Sequence, residues 1–498
     1  MIDPRIFRAY DIRGKAHEQL TEEACLLIGR AFGEILQEKY GKENKHPAVV
    51  VGRDARLHSP VFEEKIVEGL LLAGCQVFRI GQTPSPINYF TICTKKFDAG
   101  VQVTASHNPK EDNGLKLQIR DAEAFSGEDL QDLRRRIERS LQDSPLPSGE
   151  GLGVREGQAG VSAENFDAIT PYTSFLTQLF PNVGQGKKIV VDAGNGVAGP
   201  VYCEVLRKVG CEVIEMYTEP DGNFPNHAAD PSKHATLREL QKRVVDEKAD
   251  CGFAFDGDGD RIGLIDERGA IVTADSTLLL LAKDHLSRHP KAPIIFTVSN
   301  SSLLESEVKA WGGVPVMCKV GHSFVEHAMR EHGAKLGGEQ SGHFFCGEDY
   351  FGFDDALVAG LRMLAILGST WAERPLPLME STTQKKRSAR SGRVDSRVSV
   401  LISAFPRTYQ TPEFRPHCAD EKKSEVVRLA TAHFAKKYPV VTLDGARIDF
   451  GDGAWAGIRI SNTSPCLSIC IEARSPKKLK HVESEVLEHL KTYPEVEL

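Results

Sequence analysis

The sequence predicts an α/β protein: three similar mixed-sheet α/β domains and then a C-terminal α+β domain, set around a central cleft. Three observations carry this. One plan occurs three times along the chain: an apolar, β-branched run, a polar turn, a helical pattern closed by glycine, and a second apolar run. Each repeat then holds a further strand that runs into a loop dense in charged and hydroxyl side chains. After residue 396 the plan is abandoned. The 498 residues suffice for three or four domains at roughly 150 residues each.

Taken in order, the first strands are Ala48-Val-Val-Val51, Lys188-Ile-Val-Val191 and Pro293-Ile-Ile-Phe296. They lead into Gly52-Arg-Asp-Ala-Arg56, Asp192-Ala-Gly-Asn-Gly196 and Thr297-Val-Ser-Asn300. Helical patterns follow over 61–73, 201–209 and 303–311, ending near Gly74, Gly210 and Gly312, where a left-handed C-cap is expected. Second strands are expected over 76–80, 212–216 and 314–318. The third loops are Ser106-His-Asn-Pro109, Phe255-Asp-Gly-Asp-Gly-Asp-Arg261 and Gly338-Glu-Gln-Ser-Gly-His343. Ligands in α/β sheets sit off the carboxyl ends of strands, so these loops are expected to face one cleft. The last domain reads as a strand over 398–404, a helix over 422–437, strands over 457–460 and 466–473, and a helix over 476–492. The expected domains span 1–165, 166–268, 269–372 and 397–498. Ser144–Gly160 and Glu373–Ser396 read as exposed linkers. The basic run Lys385-Lys-Arg-Ser-Ala-Arg390 in the second is read as solvated rather than as a nucleic-acid contact.

A net charge of −7 and a pI near 6.2 give no global attraction to nucleic acid or membrane lipid. Neither is expected as a partner. Eleven cysteines without a CxxC pair read as reduced thiols of a cytoplasmic protein. No cationic start followed by an apolar stretch marks a signal peptide, and the apolar run Leu278–Ala282 is far too short to cross a bilayer.

Two loops carry chemistry. In Asp256-Gly-Asp-Gly-Asp-Arg261 the glycines let the backbone turn tightly, so three carboxylates can converge. Hard oxygen ligands suit Mg2+. A calcium loop would use Glu267 at its twelfth position, but its sixth is Arg261 where glycine is required, and strands flank it. A plain acidic turn is the simpler reading, yet three acids this close repel one another unless a cation is bound. Ser106 by itself reads as a turn former or helix cap. His107 beside it is a poor triad base, and no GxSxG elbow exists. A serine opposite a metal loop points instead to phosphoryl transfer, with Lys116 after the Asn113-Gly114 turn as a neighbouring cation.

The motifs FRAYDIRG (7–14), GRDAR (52–56), TASHNP (104–109), DGDGDR (256–261), GEQSGH (338–343) and RISNTSP (459–465) occur in the order found in the α-D-phosphohexomutases. The chain resembles that family over nearly its whole length, and within it the phosphomannomutase/phosphoglucomutase branch. The resemblance implies an isomerase of carbohydrate metabolism, an intramolecular phosphotransferase acting on small-molecule sugar phosphates. Ser106 would carry the phosphoryl group and pass it to a hexose phosphate. The hexose 1,6-bisphosphate so formed would turn over in the cleft and also serve as activator. One Mg2+ per chain would be held by Asp256, Asp258, Asp260 and the serine phosphate. Arg13, His107 and Lys116 would surround the transferred group, with Lys116 as the proton-transfer residue. Arg261 would reach the same site, and Tyr10 would line the cleft. Glu339 and Ser341 would bind the sugar's 3- and 4-hydroxyls, flanked by His322 and His343. Arg459, Ser461, Asn462 and Thr463 would clamp the phosphate that is not reacting, although Asn-Thr-Ser-Pro makes a β-turn in any case.

Two departures bear on the sugar. Ser299 stands where some close relatives place a lysine. Gln340 is also typical of phosphoglucosamine mutases, although that branch usually has glycine where Asn462 stands. Phosphoglucosamine mutase is therefore the alternative activity. A metal-dependent sugar phosphatase is the alternative of another class, and it needs water at the phosphoenzyme where a mutase must exclude it. A non-catalytic sugar-phosphate binder would not need Ser106 beside three metal-ready carboxylates. A monomer or a homodimer is expected.

Overall fold

A computed structural model of the chain describes residues 2–143, 161–368, 396–461 and 464–497. Contacts divide the chain into two units: Met1–Val272 with Gly342–Gly368, and Thr273–Ser341 with Ser369–Leu498. The segment Gly342–Gly368 follows the third repeat in sequence but packs with the first unit.

The first unit holds two sheets. In the first, the main strand order is Ile12–Lys15, Asp112–Ile119, Ala99–Val103, Ala48–Arg53, Gln76–Gln82, Ala163–Asn165. The middle strands run parallel, and Asp112–Ile119 runs antiparallel to Ala99–Val103. Val49, Val50 and Val51 are all fully buried, as a central strand covered on both faces requires. Val49 and Val51 join the core of Phe32, Phe62 and Ile66. Val50 points to the opposite face.

The helices that supply this core, Glu22–Tyr40 and Ser59–Leu72, meet backbone to backbone. A Cβ at Gly69 would lie 2.3 Å from the carbonyl oxygen of Leu26, so only hydrogen fits there. The helices and strands expected of the repeat are present: Ser59–Leu72, Ala198–Lys208 and Ser302–Ala310 are helical, and Gly74, Gly210 and Gly312 have φ of 85°, 101° and 79°.

In the second sheet, Lys188–Asp192 pairs parallel with both Glu212–Met216 and Cys251–Phe255. Cys251–Phe255 then pairs antiparallel with Ile262–Asp266 in a register that sets Phe255 opposite Ile262. Residues 256–261 are therefore the turn of a hairpin.

In the second unit, Pro293–Thr297 pairs parallel with Val314–Cys318 and Leu336–Gly338. A five-stranded antiparallel sheet follows, in the order Tyr409–Gln410, Leu467–Ala473, Trp455–Ile460, Ala446–Asp449, Val440–Val441. Helices Asp420–Phe434 and Pro476–Leu490 cover it through Val426, Phe434, Val482 and Val486. Buried Arg447 stacks on Trp455 at 3.6 Å and donates to the carbonyls of Val298 and Asn300, tying this sheet to the preceding one.

One element differs from expectation. Residues 398–404 read as a strand, but Val398–Ile402 is a helix. Val398 and Leu401 are buried three residues apart, a spacing that serves one face of a helix, and this turn packs on the helix Ala274–Arg288. A short apolar run does not distinguish the two by period alone. The linker reading of Ser144–Gly160, and that of 373–395 with its basic run, lies outside the described residues. Among those described, no helix is long and apolar enough to cross a membrane.

The glycine contact yields a test whose sign is informative. In a free helix, Gly69→Ala would gain about 1 kcal/mol in propensity. Here the methyl group meets a backbone oxygen, and overpacking costs about 1–3 kcal/mol. The urea midpoint of Gly69→Ala is therefore expected to fall; a rise would mean that the helices separate freely.

Candidate active site

Ser106 follows the strand Ala99–Val103 and sits on left-handed backbone, φ +52°. A residue with a Cβ pays roughly 1–2 kcal/mol for that conformation, so the surroundings must hold it. Two arginines do so. Arg56, 1% exposed, sends Nε to Asp54 Oδ2 at 3.0 Å, Nη1 to the carbonyls of Pro109 and Asp112, and Nη2 to those of Ser106 and Asn108, all within 3.0 Å. Arg13 donates to Ala105 O at 3.2 Å and Asn108 Oδ1 at 3.0 Å, and is anchored by Asp11 at 2.6 Å. Thr104 Oγ1 accepts from the Ser106 amide at 2.9 Å and donates to Asp54 at 2.8 Å.

The hairpin turn 256–261 meets this loop within the first unit. A Cβ at Gly257 would lie 2.5 Å from the Ser106 carbonyl oxygen, and Gly259 has φ +75°, so both glycines are required. Asp256, Asp258 and Asp260 are fully buried, each with an oxygen within 4.8 Å of the others. Ser106 Oγ donates to Asp256 Oδ2 at 2.7 Å. His107 Nδ1 lies 3.0 Å from the same Oγ. Lys116, from the strand Asp112–Ile119, donates to Asp258 Oδ2 at 2.6 Å and to Asp260 Oδ2. Ser85 Oγ also donates to Asp258, at 2.6 Å.

The electrostatics follow from burying this charge. Burial, then Asp260 and Asp258, push Asp256 well above the carboxylate range. Burial acts the same way on Asp260, but Lys116 and His343 outweigh it and hold that carboxyl ionised. Burial would lower the Lys116 amine, but Asp258 and Asp260 reverse this and keep it protonated. His107 is kept neutral by removal from water and by the charges of Arg261 and Arg13. Three converging carboxylates face a single ammonium, and Asp258 Oδ1 has no hydrogen-bond partner among the described residues. All the donors on offer, with Ser106 Oγ, are hard oxygens, the set that fits a hard divalent cation.

Arg261 ends the turn, and its Nε donates to His343 Nε2 at 3.2 Å. The sequence groups His343 with the loop 338–343. The structure places it in the first unit, bridged to Arg261 and 3.3 Å from Asp260. Tyr10 is half-buried and precedes the Asp11–Arg13 pair. Ser106 and His107 open onto a cavity of about 270 Å3, whose other lining includes Asn223, Phe224 and Ala229.

The second unit carries the remaining candidates. Glu339 is buried and accepts from the Gly321 amide at 2.8 Å, next to buried His322. Ser341 is half-buried. Arg459 and Ser461 are buried at the end of the strand Trp455–Ile460. Asn462 and Thr463 lie outside the described residues.

Sequence reasoning missed several residues. Arg56 and Asp54 lie in GRDAR, which the sequence gives only as a polar turn and a family motif; only the fold reveals their burial. Asp354 is buried in the same acidic cluster, within 4.8 Å of Asp260 and His343, and is pushed up to about 7 by burial and then by Asp260. Asp355 beside it accepts from Tyr172, Tyr350 and the Val358 amide, and caps the helix Ala356–Gly368. The doubled acid before an apolar helix was the available signal.

Comparison with known proteins gives one family throughout. Family models of phosphoglucomutase/phosphomannomutase match at residues 4–144, 170–269 and 273–385 for α/β/α domains I, II and III, and at 417–489 for the C-terminal domain. The chain is 38% identical over 490 residues to a phosphomannomutase/phosphoglucomutase of Pseudomonas aeruginosa, covering 98% of this chain and 95% of that protein. It is 34% identical over 482 residues to a phosphoglucomutase of Neisseria gonorrhoeae, covering 96% and 95%. A crystal structure of a phosphoglucomutase/phosphomannomutase family protein from Burkholderia thailandensis matches with a TM-score of 0.82 at 34% identity, covering all of both chains.

Removing the Arg56 guanidinium leaves the buried Asp54 carboxylate without its cation and four carbonyls each one donor short. Arg56→Met is expected to cost about 3–5 kcal/mol in chemical denaturation. Arg56→Lys should recover only part of it, because an ammonium cannot reproduce the planar fork. Wild-type stability in the methionine variant would mean that the serine loop holds itself.

Proposed function

The chain belongs to the phosphoglucomutase/phosphomannomutase family, and from that premise we propose that it interconverts hexose 1-phosphates and hexose 6-phosphates of glucose and mannose by way of a phosphoserine at Ser106. The observation that carries this reading is the Ser106 hydroxyl hydrogen-bonded to Asp256 inside a buried acidic cluster that also holds the Lys116 ammonium.

The free hydroxyl of the sugar phosphate attacks the phosphorus on Ser106. Its bond to phosphorus forms as the P–Oγ bond breaks, its proton leaves, and the serine oxygen is released to regain a proton. The hexose 1,6-bisphosphate then presents its other phosphate to Ser106, and the same exchange in reverse restores the phosphoserine. Lys116 is the ammonium hydrogen-bonded inside the acidic turn, and we assign it both proton movements: it gives its proton to the serine oxygen as the P–Oγ bond breaks and takes the one that the attacking hydroxyl loses. Arg13, Arg261 and His107 surround the transferred group, two of them as fixed positive charges. One Mg2+ would be held by Asp256, Asp258, Asp260 and Ser106, and when bound it offsets the charge of the transferring phosphoryl. Glu339 and Ser341 bind the 3- and 4-hydroxyls that glucose and mannose share, with His322, His343 and Tyr10 as further contacts. Arg459, Ser461, Asn462 and Thr463 hold the phosphate that is not reacting. Added hexose 1,6-bisphosphate would re-phosphorylate enzyme that has lost its phosphate. The setting is the reducing cytoplasm, consistent with eleven free cysteines, ten of them buried.

Intact mass with site mapping is expected to find part of the protein phosphorylated at Ser106; phosphate at another site, with Ser106→Ala fully active, would end this mechanism. Activity should require Mg2+ and stop in excess chelator. Mutating partners one shell beyond a metal ligand typically costs 10–100-fold, so Asp258→Asn should lower kcat/KM by at least about 100-fold. Glucose and mannose 1-phosphates should each turn over better than glucosamine 1-phosphate. A tenfold preference for the amino sugar would reverse the substrate assignment.

A further inference from the structure

Three cations gather where the strand Trp455–Ile460 gives way to its turn, and only Arg459 belongs to the motif there. Lys423, on the helix Asp420–Phe434, is 6% exposed and donates to the carbonyls of Ser461 at 2.8 Å and Ser464 at 3.1 Å. Arg415 comes from the irregular stretch before that helix, and its Nη2 donates to Ser461 Oγ at 3.0 Å. The serine oxygen thus already accepts a charged hydrogen bond, which leaves its own proton for a second acceptor and makes it a better donor.

The acid pairing of these cations is uneven. Lys423 lies 2.5 Å from Asp420. Arg415 is 3.3 Å from Glu413, and Arg459 is 3.4 Å from Asp444, both longer than the 2.7–2.9 Å of a strong charge-assisted bond. Arg459 Nε is buried and has no hydrogen-bond partner among the described residues. The lysine is fixed beneath the turn, whereas both guanidiniums are only loosely held by carboxylates and retain donors for an anion. Two forks and a polarised hydroxyl suit a phosphate dianion better than one arginine does.

We propose that Arg415 is a second phosphate-binding arginine of this site, acting beside Arg459 on the phosphate that is not reacting. The proposal rests on the reading of Arg459 and Ser461 as that phosphate's clamp. A surface arginine paired only with Glu413 would contribute little to anything. A phosphate ligand would contribute to the binding of substrate, and above all to keeping the bisphosphate bound while its two ends exchange places.

The test uses the full chain as wild type, R415A, R415K, R415Q and R459A. Steady-state kinetics with glucose 1-phosphate are run with and without added glucose 1,6-bisphosphate, alongside thermal shifts with inorganic phosphate. R415A and R415Q are expected to raise KM by about 10- to 30-fold, the lower part of the range for a lost charge-assisted bond, because Arg415 is half-exposed. Their kcat should fall less than KM rises, they should depend more on added bisphosphate, and phosphate should stabilise them less than wild type. R415K, which keeps the charge without the fork, should recover only part of this. If R459A raises KM while every Arg415 variant keeps wild-type KM, bisphosphate dependence and phosphate stabilisation, Arg415 is an ordinary surface residue and the inference fails alone. If R459A also leaves KM and the phosphate shift unchanged, the clamp reading itself fails.

Discussion

Three carboxylates from a single hairpin turn are buried together, and most of what surrounds them is an answer to that charge. Water cannot screen them, so each must be ionised against a cation, protonated, or held by donors. Lys116 supplies an ammonium to two of them, Ser106 and Ser85 supply hydroxyl protons, and backbone amides at 260 and 261 supply donors to Asp256. The arrangement still leaves an oxygen of Asp258 unsatisfied. A cluster built for stability alone would not leave this remainder. It is the configuration expected of a site that could bind a divalent cation, and the Ser106 hydroxyl sits at the edge of that charge.

The serine loop shows how that position is maintained. Left-handed backbone at Ser106 is unfavourable in isolation, and the turn opposite leaves no room for it to relax, because Gly257 already lies against the Ser106 carbonyl. Arg56 and Arg13 absorb the carbonyls that such a bent loop exposes. Each is itself anchored by an aspartate two residues away in sequence, Asp54 and Asp11. Placement of the hydroxyl is thus decided by two buried ion pairs that never touch it. Their value lies less in stability, which a buried ion pair seldom adds, than in fixing one geometry of the loop.

The second unit relies on the same devices for another end. Lys423 is buried to hold a turn, as Arg56 is buried to hold a loop, and the remaining cations are left loosely paired. Buried Arg447 and Glu472 join its two sheets through backbone carbonyls, Ser302 and Trp455. The candidate sites of both units therefore rest on polar groups that are almost fully desolvated, where loss of one partner is costly.

Much of this was legible in the chain. The repeated strand, helix and strand pattern, the glycine caps and the alternation of aspartate with glycine depend on near neighbours, and near neighbours are what a sequence displays. Ser106, Asp256, Asp258, Asp260 and Lys116 could be named because their loops are short and their residue types carry their chemistry. Burial is different, since it depends on what folds over a residue from elsewhere. Arg56 and Asp54 read only as part of a polar turn until the chain around 104–112 closes on them. Val398–Ile402 reads as a strand until its two buried side chains find one face of a neighbouring helix. His343 reads with the residues before it, yet Gly342, at φ +94° and with its carbonyl accepting from the Ile262 amide, turns the chain so that His343 joins Arg261. Arg415 carries no motif at all; its meaning comes from Ser461, which only the tertiary fold brings within 3.0 Å. Composition and local period determined the elements and the candidate groups, while the partners of each charge were decided by long-range packing, because the cost of burying a charge exists only once the rest of the chain has excluded water from it.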